Sequence, residues 1–172
     1  GVVIVDCVIS NYAWLPRLPD DHKWGIYARR QDNLTLRGNI VTNHQEFGGK
    51  GGGFVFAELK DSVCELNQIS VLEGNTGSSY FMSTRHLTNC VGQKNIGRSP
   101  GVGFLADDNN NSRWDNNTVY STGPATPIEG LENTHRGIQF NGGGLNELNS
   151  VWRNNIIWGF TQGIFTSSSQ YG

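Results

Sequence analysis

The sequence predicts an all-β chain wound as a β-solenoid of about six coils. Three observations carry this. An Asn recurs at the centre of a strand-forming segment. A short segment led by Gly or Ser, and continued by an apolar residue, recurs after each of them. The composition is that of a turn-rich β protein, with 23 glycines, 5 prolines and abundant Asn, above all in "NNNSRWDNN" at 109–117.

The first element is clearest in "DNLTLRGNIVTNH", 32–44, which alternates as a strand does but carries Gly38-Asn39 at its middle. A tight hairpin is one reading of two apolar runs around Gly-Asn. The recurrence favours another. "CELNQIS" centres on Asn67, "WDNNTVY" on Asn117 and "WRNNIIW" on Asn155. Three residues before these positions and Asn39 stand Leu36, Cys64, Trp114 and Trp152; two residues after stand Val41, Ile69, Val119 and Ile157. "IVDCVIS" fits with Cys7 in the Asn column, between Ile4 and Ile9, and "HLTNCVG" fits loosely at Asn89 or Cys90. Asn and Gly tolerate the left-handed region, so one such residue bends a strand without closing a hairpin. Stacked coils then bring the amides into a hydrogen-bonded ladder.

The second element reads "WGIYA", "GGFVFA", "SSYFMS", "VGFLA", "RGIQF" and "QGIFT". Its leading column is Gly25, Gly53, Ser79, Gly103, Gly137 and Gly163, spaced by 28, 26, 24, 34 and 26 residues. The column after it is apolar throughout: Ile26, Phe54, Tyr80, Phe104, Ile138 and Ile164. A hairpin repeat would give no reason for matching columns, whereas two strands per coil of a solenoid does.

With these columns the chain resembles the right-handed parallel β-helix superfamily, the pectate-lyase-like proteins and bacteriophage tailspikes. The resemblance spans nearly all of 1–172, which reads as a single parallel β-helix domain. It implies a polysaccharide partner, a homotrimer and a place outside the cell or in a virion tail. The function it implies is binding of a bacterial surface glycan, with cleavage left open. A secreted polysaccharide lyase or epimerase is the alternative, and a non-catalytic structural or adhesive solenoid is another. "GVVIVDCVIS" opens directly in an apolar strand, so the chain is expected to be a piece of a longer protein or to have its ends covered by other copies.

Composition narrows the partners. The formal net charge is −2, and no basic stretch suggests nucleic acid. No apolar run is long enough for a membrane-spanning helix, so membrane insertion is not expected. Cys7, Cys64 and Cys90 are widely spaced and are expected to be small buried apolar residues without a disulfide framework or zinc pattern. Sequons occur at Asn33, Asn110 and Asn116, as an Asn-rich chain makes by chance.

Alternation in the second strand sets one column outward: Tyr27, Val55, Phe81, Leu105, Gln139 and Phe165, five of the six apolar. Such a stripe is covered by loops 11–23, 44–52 and 121–135, forms a subunit interface, or offers a platform for sugar rings. Just past it lie Arg29 and Arg30, Glu58, Arg85 and His86, Asp107 and Asp108, Asn141, and Ser167 to Ser169. Glu58 and Asp108 share a column two coils apart, so their backbones are expected roughly 9.6 Å from one another at about 4.8 Å per coil. That approaches the carboxyl separation of about 6.5–9.5 Å in inverting glycosidases. One carboxyl would protonate the glycosidic oxygen while the other activates water. Arg30 or Arg85 would neutralise an acidic sugar, with His86 and Asp107 beside the substrate. A solvated edge of exposed charges is the plainer reading.

"ADDNNNSRWD" offers Asp107, Asp108 and Asn oxygens to Ca²⁺, which takes 6–8 oxygen ligands. Resemblance to the lyases would then make Arg85 the base; a polar Asx turn is the plainer reading here too. No cofactor is otherwise implied, and no other metal site is read. Trp114 and Trp152 fall in an inward column, whereas Trp14, with Asp20, Asp21 and His22 close behind, is the expected exposed stacking residue. Glu129, Glu132 and His135 form the second candidate cluster. No nucleophile elbow, P-loop or dinucleotide fingerprint occurs in its needed context, and "GGKGGG" lacks the end of a P-loop.

Overall fold

A computed structural model describes residues 1–10, 23–43, 51–71, 79–121, 123, 135–141 and 149–166. They form three six-stranded parallel sheets, one strand of each per coil, so the chain is a parallel β-solenoid of six coils. The first sheet stacks β1 (Val3–Val5), β4 (Thr35–Arg37), β7 (Val63–Glu65), β10 (Val91–Gln93), β13 (Arg113–Asp115) and β16 (Val151–Arg153). The second stacks β2 (Val8–Ser10), β5 (Ile40–Asn43), β8 (Gln68–Val71), β11 (Ile96–Ser99), β14 (Thr118–Ser121) and β17 (Ile156–Trp158). The third stacks β3 (Lys23–Arg29), β6 (Gly51–Ala57), β9 (Ser79–Arg85), β12 (Val102–Asp107), β15 (Arg136–Asn141) and β18 (Gln162–Thr166). The hairpin is thereby excluded, and the first sequence element is two short strands joined at a corner.

The Asn ladder sits at that corner. Asn39 Nδ2 donates to Asn67 Oδ1 at 2.9 Å, and the pattern continues through Asn95, Asn117 and Asn155 at 2.9–3.0 Å. The backbone N–H of each donates to the same oxygen, and the second Nδ2 hydrogen of each reaches a carbonyl one coil back, as Asn67 does to Leu36. Along the ladder's interior each amide therefore uses both donors and both lone pairs, the condition on which a buried polar network is stable. Cys7 occupies the column in the first coil, its N–H donating to Asn39 Oδ1.

Two expectations change here. The fourth coil's ladder residue is Asn95, neither Asn89 nor Cys90. It was hidden because its flanking column positions are Gly92 and Gly97. Nor is the ladder Asn the left-handed residue. The residue before it is: Asp6, Gly38, Leu66, Lys94, Asn116 and Asn154 have φ between 53° and 66°. The labour divides because the bending residue turns its side chain outward while the ladder residue must face in. Two further corners repeat the left-handed turn, at Arg30, Glu58, His86 and Asp108 and at Asn33, Asp61, Asn89, Asn111 and Asn149. Behind the last of these a hydroxyl ladder runs, with Leu34 N–H donating to Ser62 Oγ and Cys90 N–H to Ser112 Oγ.

The core is filled by like columns. Leu36, Cys64, Gly92, Trp114 and Trp152 are in register, as are Val41, Ile69, Gly97, Val119 and Ile157. In the third sheet Ile26, Phe54, Met82, Phe104, Ile138 and Ile164 align. Met82, not Tyr80, is the third-coil member, so the sequence register there was two residues early. Phe81 accordingly is fully buried, and Ser83 takes its expected place in the outward column. Cys64 and Cys90 are buried thiols, but Cys7 is exposed, its thiol directed to the Val5 carbonyl.

Candidate functional site

The third sheet has the longest strands, and its outward side carries the candidate site. The apolar column is Tyr27, Val55, Ser83, Leu105, Gln139 and Phe165. It is interrupted at the third and fifth coils, so it is a broken stripe, not the nearly continuous one expected. Tyr27 is 53% exposed. Two residues further along, Arg29, Ala57, Arg85, Asp107 and Asn141 form a column that is polar except at Ala57. At the corner beyond them lie Arg30, Glu58, His86 and Asp108, linked coil to coil by backbone bonds such as Glu58 N–H to the Arg85 carbonyl.

Glu58 and Asp108 do share a column, with His86 between them. Arg29 Nη2 lies 2.7 Å from Glu58 Oε1, and Arg30 Nε lies 2.7 Å from Oε2. The hydrogen bonds from Arg30 and Arg29 hold the Glu58 carboxyl down at about 2. It is ionised near neutral pH and carries no proton to donate. Its carboxylate is committed to the first coil, on the side away from Asp108.

On the other side, Arg85 Nε donates to His86 Nε2 at 3.2 Å, which leaves Nδ1 as the protonated nitrogen of the neutral ring. Nδ1 lies 3.5 Å from Asp108 Oδ2, and Arg85 Nε lies 3.4 Å from Asp107 Oδ2. Asp108 Oδ1 is buried without a hydrogen-bond partner. Asn109 turns inward, its Oδ1 accepting from Leu87 N–H and its Nδ2 donating to Thr84 Oγ1. Asp107, Asp108 and Asn109 are thus engaged in three separate contacts. Among the described residues no group of three or more acidic, His or Cys side chains converges as a cation would need.

Of the site residues read from sequence, Arg30, Glu58, Arg85, His86, Asp107 and Asp108 come together on one edge. Trp14, Asp20, Asp21, His22, Glu129, Glu132 and Ser167 to Ser169 lie outside the described residues. His135 lies elsewhere, at the start of β15, bonded to Ser121 and Thr161.

The second sheet shows residues that the sequence reading passed over. Its outward columns are Val8, Ile40, Gln68, Ile96, Thr118 and Ile156, and Ser10, Thr42, Ser70, Arg98, Tyr120 and Trp158. Trp158 is 69% exposed and in register with Tyr120. Extending the alternation to the positions one and three past each ladder Asn would have found them.

Comparison with family models, with curated proteins and with solved structures returned no match to this chain.

Proposed function

We propose that the protein is a polysaccharide-binding β-helix of the phage tailspike or depolymerase kind, engaging a bacterial surface glycan as a homotrimer outside the cell or in a virion tail. One observation carries the reading. A column on the third sheet, apolar at Tyr27, Val55, Leu105 and Phe165 and polar at Ser83 and Gln139, runs beside an edge of guanidinium, carboxylate, imidazole and amide groups, both stepping at the coil repeat. A linear polymer of sugars has the same dual character, with apolar ring faces and hydroxyls in a regular repeat. Aromatic and apolar surface meets the rings while the polar edge meets the hydroxyls. The neutral sum of Arg29, Arg30 and Arg85 against Glu58, Asp107 and Asp108 suits a hydroxyl-rich ligand and gives nothing that would attract a nucleic-acid backbone.

Binding is favoured over cleavage by the same edge. Inverting hydrolysis needs one carboxyl that can donate a proton and one carboxylate basic enough to activate water, and Glu58, held ionised and weakly basic by its two arginines, serves neither role well. This observation also favours the non-catalytic adhesive reading as the second choice.

A glycan array followed by analysis of the bound sugar tests the reading. The wild type is expected to retain a bacterial surface glycan and leave its length unchanged. Arg30→Ala with Arg85→Ala should weaken retention about tenfold, the loss of two charge-assisted contacts. Shortened glycan that is restored to full length by Glu58→Gln with Asp108→Asn would instead support cleavage by that pair. Retention of no glycan at all would remove the proposal.

A further inference from the structure

Ser121 and His135 are the residues on either side of the 122–134 segment, and their side chains meet. His135 Nε2 is hydrogen-bonded to Ser121 Oγ. On the other side of the ring, the Thr161 backbone N–H donates to Nδ1 at 2.9 Å, with Thr161 Oγ1 2.7 Å away. Phe160 packs on the imidazole with ring centroids 5.3 Å apart. One ring therefore joins the end of β14, the start of β15 and the turn between β17 and β18.

A Ser–His pair suggests a nucleophile and its base, but the hydrogen bonds run the wrong way. A nitrogen that accepts a backbone N–H carries a lone pair, so the proton of the neutral ring is on Nε2. Nε2 then donates to Ser121 Oγ and takes no proton from it. The hydroxyl is fully used: it accepts from Gly123 N–H at 3.0 Å and donates to the Gly123 carbonyl at 3.2 Å. No carboxylate among the described residues orients the ring, as general-base catalysis by such a pair requires.

We propose that Ser121, His135 and Thr161 form a proton-sensitive clasp between the fifth and sixth coils, closed while the His135 ring is neutral and opened by its protonation. A proton on Nδ1 would face the Thr161 N–H, donor against donor. Among the described residues, the groups around the ring do nothing to hold its charge. Arg136, its neighbour on β15, is itself cationic; its Nε donates to Gln162 Oε1 and its guanidinium lies over the Phe165 ring. Tyr120 is the titratable residue of β14 next to Ser121, and the turn at 159–161 carries none. Burial pushes the ring below its ordinary 6.5. A lowered imidazole stabilises the closed form in full above the ordinary value, and that stability is lost as pH falls through the folded-state value.

Two measurements on the wild-type chain decide the matter. Long-range nitrogen–proton correlation on the His135 ring at about pH 8 is expected to show the Nε2–H tautomer. Amide-exchange protection of Thr161, corrected for intrinsic rates, should fall by up to about tenfold per pH unit as pH drops from the ring's ordinary 6.5 towards its lowered folded-state value, and level off below that. In His135→Gln, whose amide can accept and donate but cannot titrate, that pH dependence should vanish. If this variant does not fold, the two wild-type measurements stand alone. An Nδ1–H tautomer, equal Thr161 protection at about pH 5 and about pH 8, or labelling of Ser121 by a fluorophosphonate would each overturn the clasp.

Discussion

Single residues at one corner divide two tasks that the sequence presents as one. Gly38-Asn39 reads as a pair of turn formers, yet Gly38 does the bending and Asn39 the cross-linking. In the third and fourth coils the bending falls to Leu66 and Lys94, side chains that enter the left-handed region at some conformational expense. The ladder amide is under the stricter demand, because it is fully buried. Asn67→Ala would strip partners from Asn39 N–H, Asn39 Nδ2 and the Leu36 carbonyl. A loss of about 3–5 kcal/mol in denaturant unfolding is expected, since each buried group left unpaired costs about 1–3 kcal/mol and relaxation recovers part. Asn67→Asp should lose at least as much, as a carboxylate cannot donate to the Leu36 carbonyl. A variant within experimental error of wild type would show that the ladder is not what holds the corner. The ladder was legible at Asn39, Asn67, Asn117 and Asn155 because each has an apolar side chain in both flanking columns. Asn95 was not, because its neighbours are glycines.

Those glycines are explained between elements. A β-carbon on Gly53 would lie 2.1 Å from Ile69 Cγ2, and one on Gly137 at the same distance from Ile157 Cγ2. β6, β12 and β15 thus each present a glycine to a β-branched residue of the second sheet one coil on. Between β9 and β11 the arrangement is reversed: Phe81 fills the space and Gly97 yields it, with a β-carbon there 2.2 Å from the Ile69 carbonyl oxygen and 2.4 Å from Phe81 Cε2. The register of the third coil was misread for this reason, since Ser79-Tyr80 imitates the Gly-apolar pair and the true position holds a Phe. Gly92 yields in the same way to Trp114. Gly97→Ile alone should destabilise by about 3 kcal/mol through overpacking, and Phe81→Gly alone by a similar amount through the cavity left. The double substitution removes the clash with the Phe81 ring and leaves only the one with the Ile69 carbonyl. It is expected to be at least about 2 kcal/mol more stable than the sum of the single effects, read as a coupling energy in a double-mutant cycle. Simple additivity would mean the two residues do not compensate. At this scale the columns of the candidate site were legible from alternation. The pairing of Glu58 with Arg29 and Arg30 was not, because it depends on which neighbouring coil a side chain leans toward.

For the molecule as a whole, coil repetition was readable because each coil contacts only its neighbours and so must match them column by column. What lies on the outside answers to no such match, and there the sequence was a weaker guide. The continuous apolar stripe expected on the third sheet is broken by Ser83 and Gln139. The outward row of the second sheet is interrupted at the same two coils, by Gln68 and Thr118, but all four of its apolar members are exposed, Val8 at 72% and Ile156 at 61%. If the proposed trimer exists, that row is the better contact surface. Sedimentation equilibrium is expected to give three times the 18.9 kDa of the chain, falling to the single mass in Ile40→Asp with Ile96→Asp. A wild-type monomer would remove the trimer and leave glycan binding to be judged alone.

The direction of the amide ladder constrains how this architecture can change. From Asn39 to Asn155 every amide-to-amide hydrogen bond runs from Nδ2 to the Oδ1 of the next higher coil, so the side-chain dipoles add along the axis and the interior has a polarity of its own. A new rung can be spliced in only as a full circuit, bringing an oxygen for the amide behind it and a hydrogen for the one ahead. Growth and shrinkage of such a chain are therefore quantised in whole turns, whereas the segments between strands are free to vary in length one residue at a time.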